Sequence, residues 1–153
     1  MKITLSIDSK EYLEIDNSQL ANIVLWLDDD NRYASFYAQL ALHPASDVRM
    51  EVANKDSTPS EAIELLARDS SIEVVRCVAS NDRALQRFDV SLIKEMINRD
   101  VSVAADIANN LSTISESDLG ELIEMLLQHA DPKVVEATRV FESKWDSEIQ
   151  YHE

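Results

Sequence analysis

The chain has 153 residues, 45% of them apolar, with one glycine, three prolines and a single cysteine. That length suits one domain burying roughly 68–70% of its unfolded surface, and the apolar content excludes wholesale disorder. Twenty-nine acidic against fourteen basic residues leave a formal charge of −15, which repels nucleic-acid phosphates and anionic membranes and attracts a basic protein.

Ile3, Leu5 and Ile7 alternate with Lys2, Thr4, Ser6 and Asp8, a period-two pattern that predicts a short strand. A lone strand needs a partner, so residues 1–17 read as an extended arm or as a hairpin closed by residues 11–15. Ser18 is the predicted N-cap of a helix through Leu20, Ile23, Val24 and Leu27. Asp28-Asp29-Asp30-Asn31 breaks the pattern and can cap a second helix, bearing Tyr33, Phe36, Tyr37, Leu40 and Ala41 and ended by His43-Pro44. A short helix over 47–54 follows, then the turn 55–58, with Pro59 opening a helix that bears Ile63, Leu66 and Ala67. The cycle recurs over 72–80 with 91–99, and over 101–109 with 117–129. A last helix is predicted from Pro132 to about Tyr151. The expected organisation is one domain: an arm (1–17), a helical pair (18–43), repeats (44–130) and a capping helix (131–153). The N-terminal stretch is too often interrupted for a signal-peptide core, and no apolar run approaches the roughly 18 residues of a membrane span. The cytoplasm is the expected compartment.

The repeat has a motif. Val48-Arg49-Met50-Glu51-Val52-Ala53-Asn54 returns as Val75-Arg76-Cys77-Val78-Ala79-Ser80-Asn81 and, degraded, as Val103-Ala104-Ala105-Asp106-Ile107-Ala108-Asn109. The valines are 27 and 28 residues apart (75 − 48, 103 − 75). Repeats this short must stack on neighbours to bury their apolar faces. Arg68-Asp69 and Arg99-Asp100 end two of the second helices. Val-Arg, then Val-Ala and Asn, then a proline-opened helix ending in Ala-Arg-Asp resembles the leucine-rich repeat variant, a family of the HEAT-like α-helical solenoids. The resemblance is clearest from about residue 42 to 110 and weaker through residue 141, with Ala104 and Glu136 standing where further arginines would fall. It implies an all-α, right-handed solenoid of about four to five helical hairpins, and protein–protein contact rather than a reaction.

Several residues invite a chemical reading. Arg49 and Arg76, at matching motif positions, are expected to bridge adjacent repeats through an acidic side chain or helix C-terminal carbonyls. Asn54, Asn81 and Asn109 read as turn residues tolerant of left-handed backbone. Cys77 reads as a small buried hydrophobe. His43, His129 and His152 lack metal-ligand spacing, so neither a metal nor any other cofactor is expected. No nucleophilic motif appears, and paired carboxylates carry little information in so acidic a chain. Trp145, beside Lys144 and among Glu142, Asp146 and Glu148, is expected to be buried as a terminal cap; Trp26 lies in the opposite end region.

Candidate partner-binding residues are therefore acidic: Asp28, Asp29 and Asp30; Glu61 and Glu64; and Glu116, Asp118, Glu121 and Glu124. Helix dipoles account for some of these, yet Glu61 and Glu64 join Glu121 and Glu124 on second helices, which line the concave face in such solenoids. The leading expectation is a monomeric, non-enzymatic protein that binds and neutralises a basic partner, as an immunity protein or antitoxin does a nuclease toxin whose cationic cleft it masks. No direct nucleic-acid or membrane contact is expected. The alternatives are a general HEAT-like scaffold or assembly subunit and, remotely, a HEAT-like DNA glycosylase, against which the charge counts.

Overall fold

The computed structural model describes the backbone of residues 3–150 and the side chains of residues 3, 4 and 6–145. The chain divides into two compact units, residues 1–77 and 78–153. The described residues are mostly helical, preceded by a two-stranded sheet.

In the first unit, β1 (Ile3–Ile7) and β2 (Lys10–Ile15) pair antiparallel, the hairpin alternative of the sequence reading. Asp8 and Ser9 join them at φ 50° and 66°. A two-residue loop needs this left-handed pair to match the strand twist. Neither residue is glycine, so the turn carries strain of order 1–2 kcal/mol per residue. Ile3 pairs with Ile15, and Leu5 with Leu13. The register then shifts so that Ser6 meets Glu11, leaving Tyr12 as the extra residue of a β-bulge. Ile3, Ile7, Leu13 and Ile15 share one face with Lys10, and Thr4, Ser6, Glu11 and Glu14 share the other. No helix packs extensively on this hairpin among the described residues, and Ile7 and Leu13 are more than half exposed.

Helix α1 (Asn17–Trp26) starts at Asp16, whose carboxylate accepts the Gln19 N–H while the Gln19 side chain accepts the Asp16 N–H. This capping box makes Asp16, not Ser18, the N-cap. A 3₁₀ turn at Asn31–Tyr33 leads into α2 (Ala34–Leu40), followed by α3 (Ser46–Ala53) and α4 (Ser60–Ala67). Helix α3 packs on α1, α2 and α4, and α2 also meets α4. Leu20, Val24, Tyr37, Leu40, Val48, Val52, Ile63 and Leu66 form the core of this unit, each at most 2% exposed. The Tyr37 hydroxyl donates to the Asp28 carbonyl at 2.9 Å.

Helix α5 (Ile72–Ala79) spans the division between the units. The second unit continues with α6 (Asp82–Leu85), α7 (Val90–Ile97), α8 (Val101–Asn109), a 3₁₀ turn at Leu111–Thr113, α9 (Glu116–Leu127) and α10 (Pro132–Gln150). Helix α8 packs on α7 and α10, and α9 packs on the same two helices. Short α6 escapes the sequence reading because its four residues give no periodicity. It is capped by Asn81, which accepts the Ala84 N–H at 3.0 Å. That asparagine sits at φ −94° and Asn54 at φ −83°. Asn54 closes α3, Asn81 opens α6 and Asn109 is the last residue of α8, so all three stand at helix ends as read from the sequence, and none uses left-handed backbone: among the described residues positive φ is confined to Asp8 and Ser9.

Superposing the helices by their own starts gives a repeat register that the motif obscures. Helices α3, α5, α8 and α10 begin at Ser46, Ile72, Val101 and Pro132. In each, the third residue (Val48, Val74, Val103, Val134) is 0% exposed, and so is the seventh (Val52, Val78, Ile107, Thr138). Val74, not Val75, is thus the counterpart of Val48. Arg49 and Arg76 are consequently not equivalent: the Arg49 side chain is 13% exposed, whereas Arg76 is exposed.

Candidate protein-binding surfaces

The second helices share a register of their own. Leu40, Leu66, Ile97 and Leu126 are each at most 1% exposed, and three residues after each stands a side chain that organises the following turn. His43 Nδ1 accepts the Ala45 N–H (3.2 Å) and His129 Nδ1 the Asp131 N–H (3.1 Å), just as Asp69 accepts from Ser71 and Asp100 from Ser102, both at 2.8 Å. An unprotonated ring nitrogen and a carboxylate oxygen do the same job here, stopping the second helix and directing the chain to the next first helix. The sequence carried this signal as an apolar residue followed three positions later by His or Asp. Both histidines therefore belong to turns.

Arg49 ties two such turns together. Its Nε and Nη2 donate to Asp69 at 2.6 and 2.8 Å, and its Nη1 donates to the His43 and Pro44 carbonyls at 2.7 and 3.0 Å. The guanidinium fork suits two carboxylate oxygens and two carbonyls at once, which an ammonium cannot match.

His43 is 2% exposed, and burial is the main reason its pKa lies below the ordinary 6.5, with nearby positive charge such as Arg49 adding to it. A pKa lower in the folded than in the unfolded chain means that the unfolded state takes up the proton first, so stability is complete above 6.5 and declines as pH falls below it. The expected result is a fall in denaturation midpoint on acidification through that range, and its loss from the profile in His43→Asn, which keeps an acceptor at the turn. Parallel profiles for the two proteins would show that His43 is not the titrating group.

The predicted acidic residues fall into three settings. At the end of α1, the Asp29 carboxylate accepts N–H groups of Asp56 and Ser57 at 2.6 and 2.8 Å, and the Ser57 hydroxyl as well. Burial pushes this carboxyl up, but these hydrogen bonds and Lys55 outweigh it and hold it below the ordinary 3.8. Asp30 caps the 3₁₀ turn, accepting the Arg32 N–H at 2.7 Å and pairing with the Arg32 guanidinium. Asp28 is exposed. Two members of this cluster are thus engaged in holding the loop. Glu61 and Glu64 are exposed on α4. On α9, Glu116, Glu121 and Glu124 are exposed and Asp118 is half-buried; Glu121 pairs with Lys94 of α7. Measured from the buried Leu66 and Leu126, the pairs Glu61/Glu64 and Glu121/Glu124 stand at identical offsets, five and two residues back. In α7, Glu95 stands two residues before Ile97 and is also exposed.

Trp26 is 83% exposed, with Ile23 one turn earlier at 43% and Asp28 just beyond. Lys55 Nζ donates to the Leu25 and Leu27 carbonyls at 3.1 and 2.7 Å, so the tryptophan is presented on a braced helix end. Its place beside the Asp28–Asp30 run was the available sequence signal. Trp145 is half-buried against Phe141, ring centroids 5.7 Å apart, rather than fully buried; the side chains of Asp146, Glu148 and His152 lie outside the described residues. Two clefts lie between α8 and α10: one of about 580 Å³ lined by Ala105, Asn109, Pro132, Ala137 and Val140, and one of about 430 Å³ lined by Asn109, Ser112, Ala137, Phe141 and Trp145. Cys77 is half-buried, not buried.

Among the described residues, no group of three or more His, Cys, Asp or Glu side chains could hold a metal ion, and no helix is long and apolar enough to cross a membrane. No family model, no curated protein and no solved structure matches the chain.

Proposed function

We propose that the chain is a HEAT-like helical repeat protein of the leucine-rich repeat variant type, without catalytic activity of its own. Its acidic second helices bind a basic protein and neutralise it, as an immunity protein or antitoxin neutralises a nuclease. The solenoid reading is supported by the packing within each unit. First helices contact first helices (α1 with α3, α8 with α10), and second helices contact second helices (α2 with α4, α7 with α9), the two-layer pattern of stacked helical pairs.

The observation that carries the functional reading is the matched register of Glu61/Glu64 and Glu121/Glu124, all exposed. Helix dipoles favour acids in a first turn, but Glu64, Glu121 and Glu124 lie beyond the first turns of their helices. Within each unit, carboxylates two and five residues before the buried leucine make the exposed side of that helix negative. Such a surface competes for a cationic nucleic-acid cleft and accelerates encounter with it. Trp26 beside Asp28 supplies an aromatic anchor of the kind that dominates interface energetics.

The test is capture of binding proteins from the native lysate at low salt, followed by titration of the captured basic protein. Changing Glu61, Glu64 and Glu124 together to Lys should weaken binding by about tenfold or more, chiefly through a slower on-rate, with helicity and melting temperature nearly unchanged. Binding that is indifferent to these changes and to salt rejects the acidic-face reading and favours a general scaffold.

A further inference from the structure

The two outer edges of the hairpin are not alike. The β2 edge carries the bulge at Tyr12 and Lys10, whose ammonium lies over the Tyr12 ring at 5.4 Å. Bulges and lysines are the devices by which natural sheets blunt an edge. β1 has neither. Ile3-Thr4-Leu5-Ser6-Ile7 contains no charge, proline or glycine, the extra residue of the bulge lies in β2, and β1 hydrogen-bonds to no strand but β2 among the described residues.

The strand is complementary to itself: read antiparallel about Leu5, Ile3 meets Ile7 and Thr4 meets Ser6, so apolar faces apolar, hydroxyl faces hydroxyl, and no charge is brought to the seam. The partner that an uncharged, alternating edge fits is another such edge. We infer that two copies of the chain associate through β1, antiparallel about a twofold axis at Leu5. Ile3 of each protomer then lies opposite Ile7 of the other, and Thr4 opposite Ser6. The product is a four-stranded sheet ordered β2-β1-β1-β2, with Ile3, Ile7, Leu13 and Ile15 of both protomers on one face. It leaves only the two blunted β2 edges outside. The contact is isologous, so association stops at the dimer, and it takes a strained hairpin past the three-strand threshold for a stable sheet. A five-residue strand pair falls well short of the roughly 800 Å² per partner of a tight complex, so the dimer is weak. The acidic bodies repel one another, so higher salt strengthens it. That is the opposite of the salt response proposed for the acidic helices, and the dimer does not depend on that proposal.

Sedimentation equilibrium of the full chain from low to high micromolar concentration, at low and high salt, reads this directly. A monomer–dimer equilibrium that shifts toward dimer with salt is expected. Thr4→Lys with Ser6→Lys sets like charges opposite each other at the seam while each lysine faces Glu14 or Glu11 across its own hairpin. This double variant should be monomeric with unchanged helical circular dichroism, and the uncharged control Thr4→Val with Ser6→Val should still dimerise. A wild type that stays monomeric throughout, a lysine variant that still dimerises, or an uncharged control that is monomeric would each overturn the proposal.

Discussion

Replacing Arg49 with alanine is expected to cost about 3–5 kcal/mol of folding stability. Its side chain is 13% exposed and that of Asp69 9%, so removing the guanidinium takes two charged donors from a nearly buried carboxylate, the costly way to break a buried pair. The His43 and Pro44 carbonyls lose their Nη1 donor in the same step. Asp69→Asn should cost less, since an amide oxygen can still accept the Ser71 N–H and one Arg49 donor while the charge is lost. Arg49→Lys should recover only a minority of the loss, because one ammonium cannot span both turns. Urea denaturation of these three variants and the double variant Arg49→Ala/Asp69→Ala gives the coupling energy. A loss below about 1 kcal/mol for Arg49→Ala would put the pair in the range of surface ion pairs.

Leu66→Ala is the second large effect, at about 2–5 kcal/mol. Leu66 is 0% exposed and stands three residues before the turn-forming Asp69, so the cavity opens where α4 meets its neighbours and beneath the turn that Arg49 braces. The adjacent Leu65 is 47% exposed, and Leu65→Ala should stay within about 0.5 kcal/mol. Equal losses at the two positions would mean that α4 presents a different face to the core. The same experiment at Leu126 and Met125, which match Leu66 and Leu65 in register, asks whether that register is shared by α9, where Leu126 is 0% exposed and Met125 half-buried.

The helices themselves were legible because their apolar residues recur at helical spacing, and most boundaries fall within two residues of the reading. The motif was legible as a recurring string, but its textual register is not the burial register of the helices. Val-Arg at 48–49 and again at 75–76 is a textual match one residue out of step with the burial pattern, since α5 carries valines at both 74 and 75 and either could be aligned. Burial separates them by the helix start, which a single sequence does not mark. The role of the histidines was hidden for a related reason. His and Asp look chemically unlike, and only the geometry shows that each accepts the same N–H two residues on. Side-chain pairing across twenty residues, from Arg49 to Asp69, was predicted in kind, as an arginine meeting an acid or helix C-terminal carbonyls; the carbonyls it also meets, those of His43 and Pro44, lie past the end of α2. Among the acidic candidates, the sequence could count carboxylates but not see which were engaged: Asp29 and Asp30 hold their own loop, while Glu61, Glu64 and Glu124 face solvent.

The first helices start 26, 29 and 31 residues apart (72 − 46, 101 − 72, 132 − 101), and this inequality bears on how the chain finds its partners while folding. Tandem units of near-identical shape invite errors in which a helix docks against the wrong neighbour, a recognised failure of repeat arrays. Here a helix displaced by one place would find the connecting segment two or three residues too long or too short (31 − 29, 29 − 26), and Arg49 would meet no Asp69. Each unit is in effect keyed to its place in the order, by tether length and by its own locking side chain. The correct assembly is thereby distinguished from its shifted copies before the core has closed.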